Sequence, residues 1–339
     1  MDRREFLKGT LAAAGALAGL GTAALVLRSE EVSLLSAAPC VAGFAEQGRR
    51  VAPVLRAADA EKPKGQAVLK LCSQEGNIPG KSLKEKAETI LKFGGCGLEF
   101  GGLSAERGRQ IREELKGTGV GVAALCCGYF PLIDPDEAKR KEGAEKLKKT
   151  LQGAGEAGST GIIFVPAFND HPQLNWDDGL KALADLLPAV GEYAVKLGTR
   201  ILLEPLNKGE ARFMNRLEQA VEICKASKSP GICLMGDFYH MGNEEKDDEQ
   251  AFVTANGYIH HVHLASRIRW LPGQDHLREP GKPERSFVAG FQGLKRIGYR
   301  DYQSLECNTT GDKKNRLDPM VEIPKSFAFL KTQWQEAKI

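Results

Sequence analysis

From Ala67 onward the chain alternates short apolar runs with longer stretches in which apolar residues recur among charges at three- and four-residue spacing. The runs are AVLKLCS (67–73), CGLEFGG (96–102), VGVAALCC (120–127), TGIIFVPAF (160–168), TRILLEPLN (199–207), GICLMGDFYH (231–240), YIHHVHLAS (258–266) and YQSLEC (302–307). Each is a strand candidate. Between them, SLKEKAETILKFG, SAERGRQIREELKGTG and EAKRKEGAEKLKKTLQGAGEAG carry the helical period and stop at glycine. Strand alternating with helix predicts parallel strands joined by crossovers. Eight such units in about 270 residues fit a single-domain (β/α)8 TIM barrel. An open doubly wound sheet would have fewer strands and a phosphate loop after the first, and no G-x-G-x-x-G or Walker pattern stands there. The barrel is assigned to residues 67–335, and residues 39–66, which carry no period, to a linker or a cover beneath it.

In such a barrel the chemistry sits where the strands end. Glu204 closes the fifth run, Asp237 the sixth, His263 the seventh and Glu306 the eighth. Any one of them alone is explained by a helix cap, a solvated loop or a hydrogen-bonded core position. Four from successive strands, at the same end, are harder to explain that way. Three carboxylates converging on one mouth raise one another's pKa unless a cation neutralises them. Three oxygen donors and one imidazole suit a hard or borderline divalent metal, Mn²⁺ before Mg²⁺ or Co²⁺, whereas Zn²⁺ is more often held by fewer carboxylates.

The run LEPLN with Glu210 six residues after Glu204, then DFYHM, HVHLASRIRWLPG and GYRDYQSLE, resembles the xylose-isomerase-like superfamily of TIM-barrel sugar isomerases and epimerases. The branch it is most similar to is that of hydroxypyruvate isomerase and the ketose 3-epimerases. This resemblance implies that Glu204, Asp237, His263 and Glu306 are the metal ligands. It further implies that His240 touches a substrate hydroxyl or carbonyl oxygen, that Arg269 holds substrate, and that Glu210 contacts the sugar near the reacting carbons. The chain departs from the pattern at PGKPERSF, where Ser286 precedes Phe287, and in the longer, charge-rich loop from Gln274 to Glu284. Both changes are expected to touch the substrate lid, which leaves the substrate's identity open.

Strands five and eight lie three apart in a ring of eight, so Glu204 and Glu306 are expected to face each other across the mouth. One can take a proton from the carbon beside a carbonyl and the other can return one, while the metal stabilises the cis-enediolate. Return on the opposite face epimerises; return to the adjacent carbon isomerises. The expected function is therefore a metal-dependent isomerase or epimerase of a ketose or hydroxy-keto acid. Alternatives are a lyase or hydratase that expels a β-substituent from a 3-keto-glycoside, and a non-catalytic sugar-binding barrel. A binding barrel has no need of opposed bases. Six histidines in all leave too few for a multi-metal phosphate-ester nuclease on the same fold.

Other polar residues carry weaker expectations. His261 shares a strand face with His263 and is a candidate to orient the metal shell from behind, against simple packing. Glu99 ends the second run, as a substrate contact or a helix cap. Asn207 fixes the turn after the fifth strand or touches the metal shell. Trp270 and Phe130 wall the pocket or pack a lid, and His171 in FNDHPQLNW belongs to a substrate cover.

Charge and cysteine usage narrow the class. A formal net charge of +3, with acids and bases interspersed, gives neither a nucleic-acid track nor a basic membrane patch, so a small molecule is the expected partner. The first residues, MDRREFLKG, run into an uncharged Ala/Gly-rich stretch from Leu11 to Leu27. Residues 1–38 thus resemble a twin-arginine export signal, with Ser36-Ala37-Ala38 as a cleavage site; an ordinary secretory signal or a membrane anchor is the alternative. The resemblance implies the twin-arginine export machinery as a partner and a periplasmic or membrane-anchored protein that crosses already folded. Eight cysteines without a C-x-x-C pair, most of them in or beside apolar runs, read as buried small hydrophobes rather than a disulfide framework. The number of subunits, a homo-oligomer included, is left open.

Overall fold

The structure, a computed structural model, describes residues 66–339; the export signal and all of the 39–66 segment except Gln66 lie outside the described residues. Eight parallel strands close into a barrel in chain order. They are β1 (Lys70–Gln74), β2 (Gly97–Phe100), β3 (Gly121–Tyr129), β4 (Ile162–Val165), β5 (Ile201–Leu203), β6 (Ile232–Asp237), β7 (Ile259–Leu264) and β8 (Tyr302–Leu305). Every apolar run of the sequence overlaps one of them. The described helices are α1 (Leu83–Phe93), α2 (Ala105–Leu115), α3 (Glu137–Ala157), α4 (Trp176–Lys196), α5 (Leu217–Ser227), α6 (Phe238–Glu244), α7 (Asp248–Thr254), α8 (Val288–Arg296) and α9 (Pro319–Glu336). Their ends follow the capping signals: Ser82, Ser104, Asp136 and Asn175 accept first-turn N–H groups, and α1 and α3 stop at left-handed Gly94 and Gly158.

The larger apolar core lies between the strands and the helices. A smaller one fills the interior of the barrel beneath β3 to β6, from Ala124, Ile163, Leu202, Cys233 and Met235. Across from it the interior is polar, occupied by Gln74, Glu99, His261, His263 and Glu306. The seven described cysteines are free thiols, and burial pushes Cys127 up to about 12, in keeping with a packing role.

The N-terminal rim of the barrel is closed by Tyr302. A Cβ on Gly97 would stand 2.8 Å from its ring, and one on Gly121 2.2 Å from its hydroxyl, so glycine at both strand starts makes room for the aromatic plug. Beside it, β7 carries an extra residue. Ile259 faces Leu234 while His261 faces Met235, which leaves His260 unpaired in the ladder. Its Nδ1 lies 2.7 Å from Asp301 Oδ2.

Burial works against a charged His260, yet the bonds to Asp301 and the Cys233 thiol push its pKa up to about 9. Burial also works against the Asp301 carboxylate, but the bond and charge of His260 hold it below the ordinary range. A raised histidine contributes stability that is complete below its unfolded pKa of about 6.5 and lost as pH rises through about 9. A depressed aspartate contributes above about 3.9 and loses that contribution on acidification. The difference in melting temperature between wild type and His260→Asn should therefore be largest near pH 5–6 and shrink on either side; a pH-independent difference would assign His260 to packing alone.

Candidate active site

The sheet hydrogen bonds run up to the four polar strand ends. The N–H of Glu204 reaches Phe164 O at 3.2 Å and that of Glu306 reaches Leu264 O at 3.3 Å, so both side chains leave from backbone still held by the barrel. Pro205 ends the β5 ladder immediately afterwards. Asp237 is the last residue of β6 and the N-cap of α6: its Oδ1 accepts the Tyr239 N–H at 2.8 Å. One ligand atom from each of Glu204, Asp237, His263 and Glu306 lies within 4.8 Å of the others, and all four residues are buried. Ligands on opposite sides of an ion with bonds of about 2.1 Å stand about 4.2 Å apart. Three carboxylates and one imidazole at this spacing fit one divalent cation.

The electrostatics point the same way. Burial disfavours protonation of His263, but the Glu99, Glu306 and Glu204 carboxylates raise its pKa well above the ordinary value. Its Nδ1 is 3.0 Å from Glu306 Oε2 and 3.6 Å from Glu204 Oε1. Burial raises the Asp237 pKa against the lowering effect of Arg269. The Arg269 guanidinium reaches Glu306 Oε2 at 2.5 Å, Asp237 Oδ2 at 3.2 Å and His240 Nε2 at 3.2 Å. One guanidinium against three buried carboxylates leaves an excess of negative charge for a cation to meet.

Arg269 is held in place by its backbone. At φ 60° it occupies the left-handed region, which costs a residue with a Cβ about 1–3 kcal/mol. Its N–H bonds Ser266 O at 3.0 Å and its carbonyl accepts the Asn308 N–H at 2.8 Å. The Ser266 hydroxyl accepts the Trp270 N–H at 2.9 Å, and the guanidinium lies 4.7 Å above the Tyr239 ring.

His240, on α6, is buried beside this group. Its Nδ1 accepts the Asn207 N–H at 3.1 Å and lies 2.8 Å from the Asn207 amide nitrogen, which turns Nε2 toward Asp237 and Arg269. The Oδ1 of Asn207 accepts the Gly209 N–H, and its amide reaches Glu210 Oε1 at 3.2 Å. Asn207 therefore fixes the turn, as the sequence suggests, and also ties Glu210 to His240. Glu210 itself is not among the four grouped ligands.

Two partners, buried Glu99 and half-buried Gln74, take roles not expected from the sequence. Glu99 neither caps α2, whose N-cap is Ser104, nor stands at the substrate side. It lies behind His263, with Oε2 2.8 Å from His261 Nε2 and 2.9 Å from His263 Nε2. Burial opposes its ionisation, but the His263 charge and the bonds from both imidazoles hold its pKa at about 2. His261 thus shares the Glu99 carboxylate with His263, behind the four grouped residues. Gln74 ends β1, and its Nε2 is 3.2 Å from both Glu99 Oε1 and Glu306 Oε1. The available signal is that β1 ends on a polar residue, as β6 does at Asp237.

The loops divide. His171 stacks on Tyr129 with ring centroids 3.9 Å apart, and its loop is bonded to the Glu210 turn through the Asn169 N–H and Glu210 O. Phe130 is buried edge-on to Phe164, and buried Trp270 lies beneath Arg278. Within PERSF, Arg285 and Phe287 pack into the body of the fold, contrary to their assignment to a lid, while Glu284 holds the preceding loop by accepting the Asp275 and His276 N–H groups. Arg285 pairs with Asp248 at 2.8 Å over the Phe238 and Phe287 rings, and fully buried Phe287 packs against Phe238, Phe291 and Phe329.

Residues 81–333 match the family described as xylose isomerase-like TIM barrel. The chain is 28% identical over 275 residues to the 3-dehydro-D-guloside 4-epimerase of Escherichia coli (strain K12), covering 78% of this chain and 100% of that one. It is 28% identical over 196 residues to an L-ribulose 3-epimerase of Mesorhizobium japonicum, covering 56% of this chain and 62% of that one. Among solved structures, the apo form of a 3-keto-D-glucoside 4-epimerase from E. coli superposes with a TM-score of 0.66 at 26% identity, covering 78% of this chain and all of that one.

Mn²⁺ added after chelator treatment is expected to stabilise the folded state by about 2.7 kcal/mol at a hundredfold excess over Kd. Asp237→Asn, which keeps the cap acceptor but removes the charge, should lose most of that gain. Calorimetric scans with and without the ion measure both; an unchanged melting temperature in wild type would count against the site.

Proposed function

The chain belongs to the xylose isomerase-like TIM barrel family, and from that premise we propose that it is a divalent-metal-dependent epimerase or isomerase of a keto sugar, working through Glu204 and Glu306. The observation that carries this is the gathering of Glu204, Asp237, His263 and Glu306 at one buried point. The two glutamates come from strands three places apart in the ring. A divalent ion held by these four side chains, Mn²⁺ by preference, would act as a Lewis acid toward negative charge developing on the substrate oxygens.

The chain's own residues move the proton. A carbanion beside a carbonyl is planar, so a carboxylate on one face can remove hydrogen and a carboxylate on the other can restore it, inverting that carbon. Transfer to the neighbouring carbon instead relocates the carbonyl. The Nε2 of His240 and the Arg269 guanidinium, adjacent at 3.2 Å, form a donor pair for the substrate's oxygens. Glu210, tied to His240 through Asn207, is placed to meet a hydroxyl farther along the sugar.

Relatives named for keto-glycoside and ketose epimerisation support a substrate with a carbonyl between hydroxyl-bearing carbons. The twin-arginine resemblance of residues 1–38 adds to the proposal that the enzyme works in the periplasm, free or anchored.

Incubation with ketoses and 3-keto-glycosides in D₂O tests the chemistry. Deuterium at the carbon beside the carbonyl in recovered sugar is the expected result. Release of the aglycone would favour the lyase instead, and no exchange with any keto sugar would sink the proposal. Glu306→Gln is expected to lower kcat by about 10²–10⁴-fold.

A further inference from the structure

We infer that Glu99 is a positioning residue that fixes the tautomer of His263, protonating Nε2 and presenting Nδ1 to the space shared with Glu204 and Glu306. The inference rests on the metal-binding role proposed for His263. Glu99 stands on β2 and His263 on β7, three places apart in the ring, so their contact crosses the barrel interior.

An ionised carboxylate only accepts hydrogen bonds. Oε2 of Glu99 lies 2.9 Å from His263 Nε2 and 2.8 Å from His261 Nε2, so both nitrogens carry the hydrogen in these bonds. With Nε2 committed as a donor, Nδ1 is the nitrogen whose lone pair a cation can use, and it is the one 3.0 Å from Glu306 and 3.6 Å from Glu204. Glu99 is itself anchored. Gln74 Nε2 engages its other oxygen at 3.2 Å and also lies 3.2 Å from Glu306 Oε1, so one amide joins the positioning carboxylate to a proposed ligand. The extra residue at His260 brings His261 opposite Met235 and His263 opposite Asp237, aligning both imidazoles with the inward face of β6.

Glu99→Gln keeps the size of the side chain but gives it an N–H₂ group that cannot accept from an imidazole N–H. Turned toward the imidazoles, that group breaks both bonds; turned away, it meets the Gln74 amide donor and leaves both imidazole N–H groups a neutral oxygen, a weaker acceptor than a carboxylate. Titration calorimetry with Mn²⁺ is expected to show about 10–100-fold weaker binding than wild type. Histidine-selective ¹⁵N labelling of Mg²⁺-loaded wild type should show His263 protonated at Nε2, and this measurement decides the matter even where the variant fails to fold. Equal Mn²⁺ affinity in a folded Glu99→Gln protein would overturn the positioning role while leaving the proposed function standing, whereas an Nδ1-protonated His263 would overturn the positioning role and remove His263 from the proposed ligands as well. A wild-type protein that takes up no Mn²⁺ would overturn both.

Discussion

Four carboxylates buried at one end of a barrel must be given counter-charge, and that requirement organises the rest of the site. Glu99, Glu204, Asp237 and Glu306 are each almost wholly removed from water, where an unpaired ion costs several kcal/mol. The chain answers with a guanidinium, two imidazoles and an amide. Arg269 meets Asp237 and Glu306; His261 and His263 meet Glu99; Gln74 meets Glu99 and Glu306. On the mouth side the carboxylates outnumber the guanidinium, and the spacing of Glu204, Asp237, His263 and Glu306 fits one divalent cation.

Structural and chemical duties fall on the same atoms. Asp237 starts α6 with one oxygen and faces Arg269 with the other. Asn207 closes a turn with its carbonyl oxygen while its nitrogens hold His240 and Glu210. Such double use makes the site rigid without extra residues, because the local backbone cannot relax unless the side chain lets go.

Much of this was legible in the chain. Parallel strands buried on both faces appear as apolar runs, and a carboxylate that cuts such a run short marks the strand end, which is how Glu204, Asp237 and Glu306 stand out. The partners of those groups were harder to see. Glu99 meets His261 across a separation of 162 residues, and no local period encodes which strands face each other across a barrel interior. Gln74 looks like the first residue of a turn. The departure from the family pattern at PERSF points to a lid, yet its arginine and phenylalanine enter an aromatic cluster that only the fold assembles.

The left-handed backbone at Arg269 carries a last consequence. The residue is clamped between Ser266 before it and Asn308 after β8. The excursion from Leu271 to Arg285 leans on that clamp from its flanks, through the Arg267–Glu279 ion pair and the Arg278 guanidinium over the Trp270 ring. Changes to the excursion that remove those two supports are therefore transmitted to the backbone that aims the guanidinium, whereas changes elsewhere along it are not.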